Sequence, residues 1–313
     1  MLRLLARRAL LSVPLLLVVS TSTFVLVAIL PGDVARTIVG PYATREQYLG
    51  LRHSLGLDEP LLTRYWHWLE HAVQGDLGTS LFYSQPVTSL LDSRLSVTFS
   101  LVIGATVLAA LIGIALGVVS ALRVGSFGRF VDALSLVGLA VPNFFLGLLL
   151  VTWFAVSIQL FPATGYVPLT TSPAQWFRSL VLPVITLAVP GIAVVAKQTR
   201  DSMLEVLGRP FVRMLRASGV PRHSIVLKHV LRSAAISVAT VVGLIFIGAL
   251  SGTVLIESVF AMPGLGGLAV QATENHDLPL IQGIVVYFTV IVIAVNLMVD
   301  LIYGALDPRV RVS

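Results

Sequence analysis

Three properties of this chain predict an all-α membrane protein, a polytopic bundle of six transmembrane helices. Mean hydropathy is +0.93, only 12% of residues are charged, and 56% are hydrophobic. A soluble domain carries about a quarter charged residues, so lipid is the solvent for most of this sequence. Apolar runs also recur at close to the roughly 20 residues that cross about 30 Å of hydrocarbon.

The first run, Leu10 to Leu30, follows Arg3, Arg7 and Arg8. It resembles a secretory leader, yet it exceeds the usual apolar length of about 7 to 15 residues and has no clear small-residue cleavage site. It is therefore read as a retained anchor. The segment 31–96 mixes Pro, Gly and charge with apolar pairs and is expected to form short helices on the external side. Further spans are expected at Val97 to Leu122, Ala133 to Leu160, Leu180 to Ala196, Ala234 to Ile256 and Leu278 to Val299. On the second of the six, Gly113 and Gly117 form a G-x-x-x-G pair, which lets another helix backbone approach closely. Packing within one subunit is the preferred reading of that pair. The expected organisation is a tail with the first span over 1–30, an external subdomain over 31–96, a transmembrane core over 97–305 and a cytoplasmic tail over 306–313.

Basic residues of short loops favour the cytoplasm. They gather at the N-terminus, at Arg123 and Arg129, and between Lys197 and Arg232, which holds eight of the 21 Lys and Arg residues. The alternate segments carry acidic Glu257, Glu274 and Asp277. Both termini are therefore expected on the cytoplasmic side, and the net charge of +6 reports topology without invoking nucleic acid.

Several function classes are excluded or disfavoured. The chain has no cysteine, which removes disulfides and thiolate metal sites. A P-loop would read G-x-x-x-x-G-K-[ST], but the only lysines, Lys197 and Lys228, follow Ala196 and Leu227. Proton-coupled carriers place ionisable groups within their spans, whereas Asp132 and Asp300 fall near helix ends. No nucleophile and base constellation is recognisable. His67 and His71 have the i, i+4 spacing of a helical metal pair; with Tyr65, Trp66 and Trp68 beside them, an interfacial aromatic helix is preferred, and no metal is expected.

The segment 197–232 holds the most informative pattern. Arg209, Arg213 and Arg216 recur at i, i+4 and i+7, opposite Phe211, Met214, Leu215 and Ser218, which predicts a short amphipathic helix. Gly219 followed by Val220-Pro221 supplies its stop signal, because Gly accepts the left-handed conformation after a helix. A second helical segment through Lys228, His229 and Arg232 leads into the next span. Such a helix could adsorb to anionic lipid or dock to a protein partner, and a defined cap favours docking.

Longer stretches carry a family resemblance. These are Leu55-Gly56-Leu57-Asp58-Glu59-Pro60, Gly75-Asp76-Leu77-Gly78-Thr79-Ser80, Ser202 to Leu207, Arg213 to Gly219, Phe260-Ala261-Met262-Pro263-Gly264-Leu265-Gly266, Asn296 to Tyr303 and Asp307-Pro308-Arg309. In this order the chain resembles the permease subunits of oligopeptide and dipeptide ABC importers, of the type that pairs with a second related permease. The resemblance implies a type I importer permease fold and a non-enzymatic transport subunit forming half of a translocation pore. ATP and Mg would act on two separate ATPase subunits or domains, and no cofactor is expected in this chain. An extracytoplasmic solute-binding protein would deliver the peptide. Nickel and glutathione importers use similar permeases, and a stand-alone secondary carrier is the alternative of a different class.

By the same resemblance the 213–219 stretch is similar to the EAA coupling motif, which implies ATPase coupling for Arg213, Arg216, Ala217 and Gly219. Arg213 stands where the general motif has Glu. Asn143, Gln159 and Ser251 are candidate pore-lining residues, as uncharged polar groups suited to a peptide backbone. Asp76, His276 and Asp277 are candidate residues for docking the binding protein. His276 and Gly267 stand where basic residues are common, and a solvated loop histidine is the simpler reading of His276.

Overall fold

The computed structural model describes residues 2–29, 34–40, 42–123 and 140–306, together with 32, 125, 128, 133, 137 and 138. Arg129, Asp132, most of the first part of the expected 133–160 span, and the tail from 307 lie outside the described residues. Within the described residues the chain is helical, with a single isolated bridge between Thr79 and Pro86. Five helices are long and apolar enough to cross a membrane, and Asn143–Ser157 is a shorter apolar helix. The described residues therefore carry the predicted all-α membrane architecture.

The helices are α1 (Leu2–Ile29), α2 (Val34–Val39), α3 (Arg45–Ser54), α4 (Leu61–Val73), α5 (Val87–Leu122), α6 (Asn143–Ser157), α7 (Pro173–Leu207), α8 (Pro210–Ala217), α9 (Arg222–Val259), α10 (Leu265–Glu274) and α11 (Leu278–Leu306). Helices α6 and α9 contain π-helical stretches at Val151–Ser157 and Ile225–Val230. Local chemistry sets many boundaries. Thr44 and Gln47 form a reciprocal capping box before α3, each satisfying a backbone N–H that has no partner inside the helix. Ser172 caps α7 and Pro173 occupies its first turn, where a missing N–H costs nothing.

Two compact units make up the chain. One comprises Thr98–Met262 and the residues from Ala294; the other comprises Leu2–Val97 and Pro263–Ile293. In the first, α7 is the central buried helix, packed by α6 and α9. A Cβ added at Gly113 would lie 2.6 Å from Val195 Cβ, and one at Gly117 would lie 2.5 Å from Thr199 Cβ and 2.6 Å from the Ala196 carbonyl. The G-x-x-x-G pair thus brings α5 onto α7 within the same chain, as its spacing predicts. Glu257, counted above as an external-loop charge, instead lies in the last turn of α9. It is 1% exposed and accepts a 2.8 Å hydrogen bond from Thr98 Oγ1. Burial of a carboxylate requires such donors.

In the second unit the described part of 31–96 contains the short helices α2, α3 and α4 and, from Val87, the start of α5. Tyr65 of α4 is buried against α1, with its hydroxyl 2.9 Å from both Ser20 Oγ and Thr21 Oγ1 and its ring edge-on to Phe24. Gln282 Nε2 of α11 donates to the Ser20 carbonyl at 2.8 Å. A cluster of Leu77, Val87, Leu91, Leu265, Leu268 and Leu280 forms the core. Gly283 lets α5 approach, since a Cβ there would fall 2.4 Å from Val87 Cγ1. Outward apolar residues such as Leu10, Val18 and Leu26 remain exposed on α1, the pattern of a lipid-facing surface.

Candidate functional site

The 197–232 segment folds into a supported lever. Helix α7 runs to Leu207, and Gly208-Arg209 turn the chain into α8. Arg209 at the N-cap position makes a 2.7 Å ion pair with Glu205 on the preceding helix. Pro210 opens α8 with its fixed φ. At the other end the Gly219 N–H donates to the Arg216 carbonyl and the Val220 N–H donates to the Leu215 carbonyl, both at 3.1 Å. That pair of bonds is a Schellman motif, and Gly219 occupies its left-handed position at φ +76°. The stop signal read in the sequence is therefore present as a hydrogen-bonded cap.

Val212 anchors the helix. It is fully buried in a cluster with Met203, Val206, Ile225, Val226 and Val230, onto which Phe211 and Leu215 also pack. Sequence reasoning missed Val212, although Val212 and Leu215 have the i, i+3 spacing of one helical face. Met214 was placed on the same apolar side, but it is 64% exposed. The greasy face therefore turns into the chain's own core, because Val212 and Leu215 rather than Met214 lie at its centre. Arg213, Arg216, Ala217 and Gly219 are all exposed. Beside them opens a cavity of about 590 Å³, lined by Arg216, Val220 and Arg222 together with Leu204, Leu207 and Ile225. The outward surface offers one flexible apolar side chain flanked by two guanidinium groups, a form suited to a protein groove with an acidic rim.

A second cavity, of about 320 Å³, lies among α6, α7 and α9 and is bordered by Asn143, Leu187, Pro190, Gly191, Leu244 and Gly248. Pro183 and Pro190 both interrupt the hydrogen-bond ladder of α7, and a helix bends where proline removes an internal donor. Asn143 thus faces a largely apolar space. Ser251 is exposed on α9, and Gln159 is exposed beyond the π-helical turn of α6 at φ +58°. The three polar residues are not gathered into one polar lining.

The remaining site residues lie in the other unit. Asp76 is exposed and its carboxylate accepts a 2.9 Å bond from the Gly78 N–H. Asp277 is fully buried. Its carboxylate accepts from Ser80 Oγ, from the Leu81 and Phe82 N–H groups, and from the Leu280 N–H as the cap of α11. An Asp two residues before Pro279 is a sequence signature of that helix start. His276 holds the left-handed position of another Schellman motif at φ +54°, after α10. His67 and His71 share a face of α4, where His71 Nδ1 lies 2.7 Å from the His67 carbonyl. No cluster of three or more metal-ligating side chains occurs among the described residues.

Comparison with known proteins decides the family. The model of the binding-protein-dependent transport system inner membrane component matches residues 111–312, and its N-terminal companion matches 1–102. This chain belongs to that permease family. A Brucella abortus protein named as a peptide transport system permease is 42% identical over 309 residues, covering 98% of both chains. A Sinorhizobium fredii protein named as a peptide ABC transporter permease is 38% identical over 306 residues, covering 97% of this chain and 98% of that one. The glutathione transport system permease of Salmonella typhimurium is 38% identical over 312 residues, covering 99% of each. Among solved structures, a chain of the inward-facing MetNI methionine ABC transporter aligns with a TM-score of 0.58 at 19% identity, covering 70% of this chain and 97% of its own. That likeness concerns the fold. In the permease, the capped lever and the cavity among α6, α7 and α9 belong to the unit formed largely by Thr98–Met262.

Proposed function

We propose that this permease forms half of the translocation pore of an ATP-driven importer that takes up di- or oligopeptides. The observation carrying the reading is the exposed, capped helix α8, anchored by Val212, in a chain matching peptide permeases over 98% of its length. Helix α8 is the coupling element, and Arg213, Met214, Arg216 and Ala217 meet a groove on an ATPase subunit. ATP binding by two such subunits moves the helices, and the pore alternates between inward-facing and outward-facing states. The Schellman cap lets α8 move as a rigid piece, and the buried face transmits that motion to α7 and α9.

A second related permease completes the pore, and an extracytoplasmic binding protein delivers the solute. Both termini lie in the cytoplasm of a prokaryotic cell. Chemistry on ATP, with Mg, belongs to the ATPase subunits, and this chain is a transport subunit rather than an enzyme. Asn143, Gln159 and Ser251 contribute uncharged polar groups to the solute path. Asp76 and His276 contribute to binding-protein docking, while Asp277 acts by holding the docking loop in shape.

Glutathione is a second reading, motivated by the 38% identity to the Salmonella permease. Proteoliposomes containing this chain, its companion permease, the ATPases and the binding protein test both. Uptake of a labelled dipeptide or tripeptide that requires ATP and the binding protein is expected. Competition by glutathione, with no uptake of ordinary peptides, would favour the second reading. Uptake by this chain alone without ATP would instead identify a stand-alone carrier.

A further inference from the structure

Outside the lever and the solute path, the unit formed by Leu2–Val97 and Pro263–Ile293 contains a polar cavity of about 200 Å³. Arg52, Arg64 and His276 reach its walls, together with Ala28, Leu81 and Leu278. Arg64 is the informative group. Its guanidinium is half-buried, and among the described residues it makes no hydrogen bond and no ion pair. Burial lowers its pKa from the ordinary arginine value; Glu59 raises it from a distance, and neighbouring Arg52 lowers it further. Arg52 donates to the Asp58 carboxylate at 2.7 Å and to the Tyr48 hydroxyl at 3.1 Å. Two guanidinium groups thus share a small cavity in which, among the described residues, Arg64 has no carboxylate ion pair.

A half-buried cation without a partner costs free energy unless an anion completes it. The cavity's depth indicates which anion. Ala28 lies at the end of the apolar stretch Leu10–Ile29, and Leu278 is the first residue of the stretch Leu278–Ile302. A cavity bordered by both lies where two membrane-crossing helices meet water, the level of phospholipid headgroups. The aromatic residues of α4, Tyr65, Trp66 and Trp68, are of the kind that gather at that level. Arginine forks bind phosphate oxygens in pairs, and the apolar wall residues suit the glycerol carbons beside a phosphodiester. Gly32 shapes the rim: a Cβ there would fall 1.9 Å from His276 Nε2, and its φ is +152°. Only glycine permits the backbone to lie so close to the imidazole.

We infer that the cavity bounded by Arg52, Arg64 and His276 is a phosphate site that holds the headgroup phosphodiester of an anionic membrane phospholipid. Arg64 is the principal donor, and Arg52 and His276 border the site. The lipid thereby fastens α3 and α4 to the ends of α1 and α11. The inference is independent of the transported solute.

Native mass spectrometry of the delipidated full-length chain, titrated with phosphatidylglycerol and separately with inorganic phosphate, tests it. The expected result is one tightly retained phosphatidylglycerol, with retention about tenfold weaker in Arg64→Gln, a loss of one strong charged contact. Arg64→Lys, which keeps the charge but loses the fork, falls between them. Leu81→Phe keeps both arginines while filling the cavity and should also release the lipid, so the test survives a misfolded Arg64 variant. Millimolar inorganic phosphate should not displace the lipid. Equal lipid retention in wild type, Arg64→Gln and Leu81→Phe would overturn the site, and displacement by inorganic phosphate would show a free-anion pocket instead.

Discussion

Ser80 and Asp277, 197 residues apart in sequence, are joined by a buried hydrogen bond from the serine hydroxyl to the carboxylate. The same carboxylate accepts the Leu81 and Phe82 N–H groups. One side chain therefore closes the turn before α5 onto the start of α11. Asp277→Ala leaves several buried donors unsatisfied. It should destabilise the protein by about 2 to 4 kcal/mol, read as a lower thermal midpoint in detergent. Asp277→Asn retains an acceptor oxygen and should lose less.

Gly219 and Gly117 should fail for different reasons. Nothing lies within 4 Å of a Cβ built at Gly219, but its φ of +76° strains any branched residue. Gly219→Val should therefore cost about 1 to 2 kcal/mol locally, leave the assembled complex intact, and reduce transport more than ATP hydrolysis. Gly219→Asn, which tolerates the left-handed region, should keep most transport.

Gly117→Val meets Thr199 and the Ala196 carbonyl at distances no real Cβ adopts. It should push α5 from α7 and cost about 1 to 3 kcal/mol or more. Gly248, a helical glycine with nothing within 4 Å of a built Cβ, is the control. Gly248→Ala should be neutral or stabilising by up to about 1 kcal/mol. Thermal unfolding of both variants in the same detergent checks the contrast.

Val212→Ala removes the anchor of α8. Losing two buried methyl groups should cost about 1 to 2 kcal/mol and loosen the lever from α7 and α9. Peptide uptake should fall while the complex still assembles, measured by uptake per purified complex.

Features with a local cause were legible in the sequence. Apolar length gave the membrane helices, glycine spacing gave the α5–α7 approach, and Gly219-Val220-Pro221 gave the end of α8. The capping box at Thr44 and Gln47 was a local signal of the same kind that the sequence analysis did not use. Long-range pairings left no such trace. Glu257 read as a loop charge because Thr98, its partner, lies 159 residues away. Asp277 read as a surface residue for the same reason, although its place before Leu278-Pro279 carried the mark of a helix cap. The left-handed positions Ala261 and His276 carry no Gly or Asn to mark the turn, although His adopts that conformation more readily than most residues. Val212 left no mark because it lies beside the arginine stripe, three residues after Arg209, rather than on the face opposite it. The candidate pore residues were chosen by polarity alone, and polarity does not fix which way a helix turns.

Helix α8 as the contact with an ATPase is the central claim, and the absence of native cysteine permits a direct measurement. Met214→Cys in the assembled transporter should cross-link to the ATPase subunit through a short thiol-directed reagent. Tyr42→Cys, at a residue 98% exposed in the 31–96 segment, should not. Cross-linking at Tyr42→Cys with none at Met214→Cys would contradict the account.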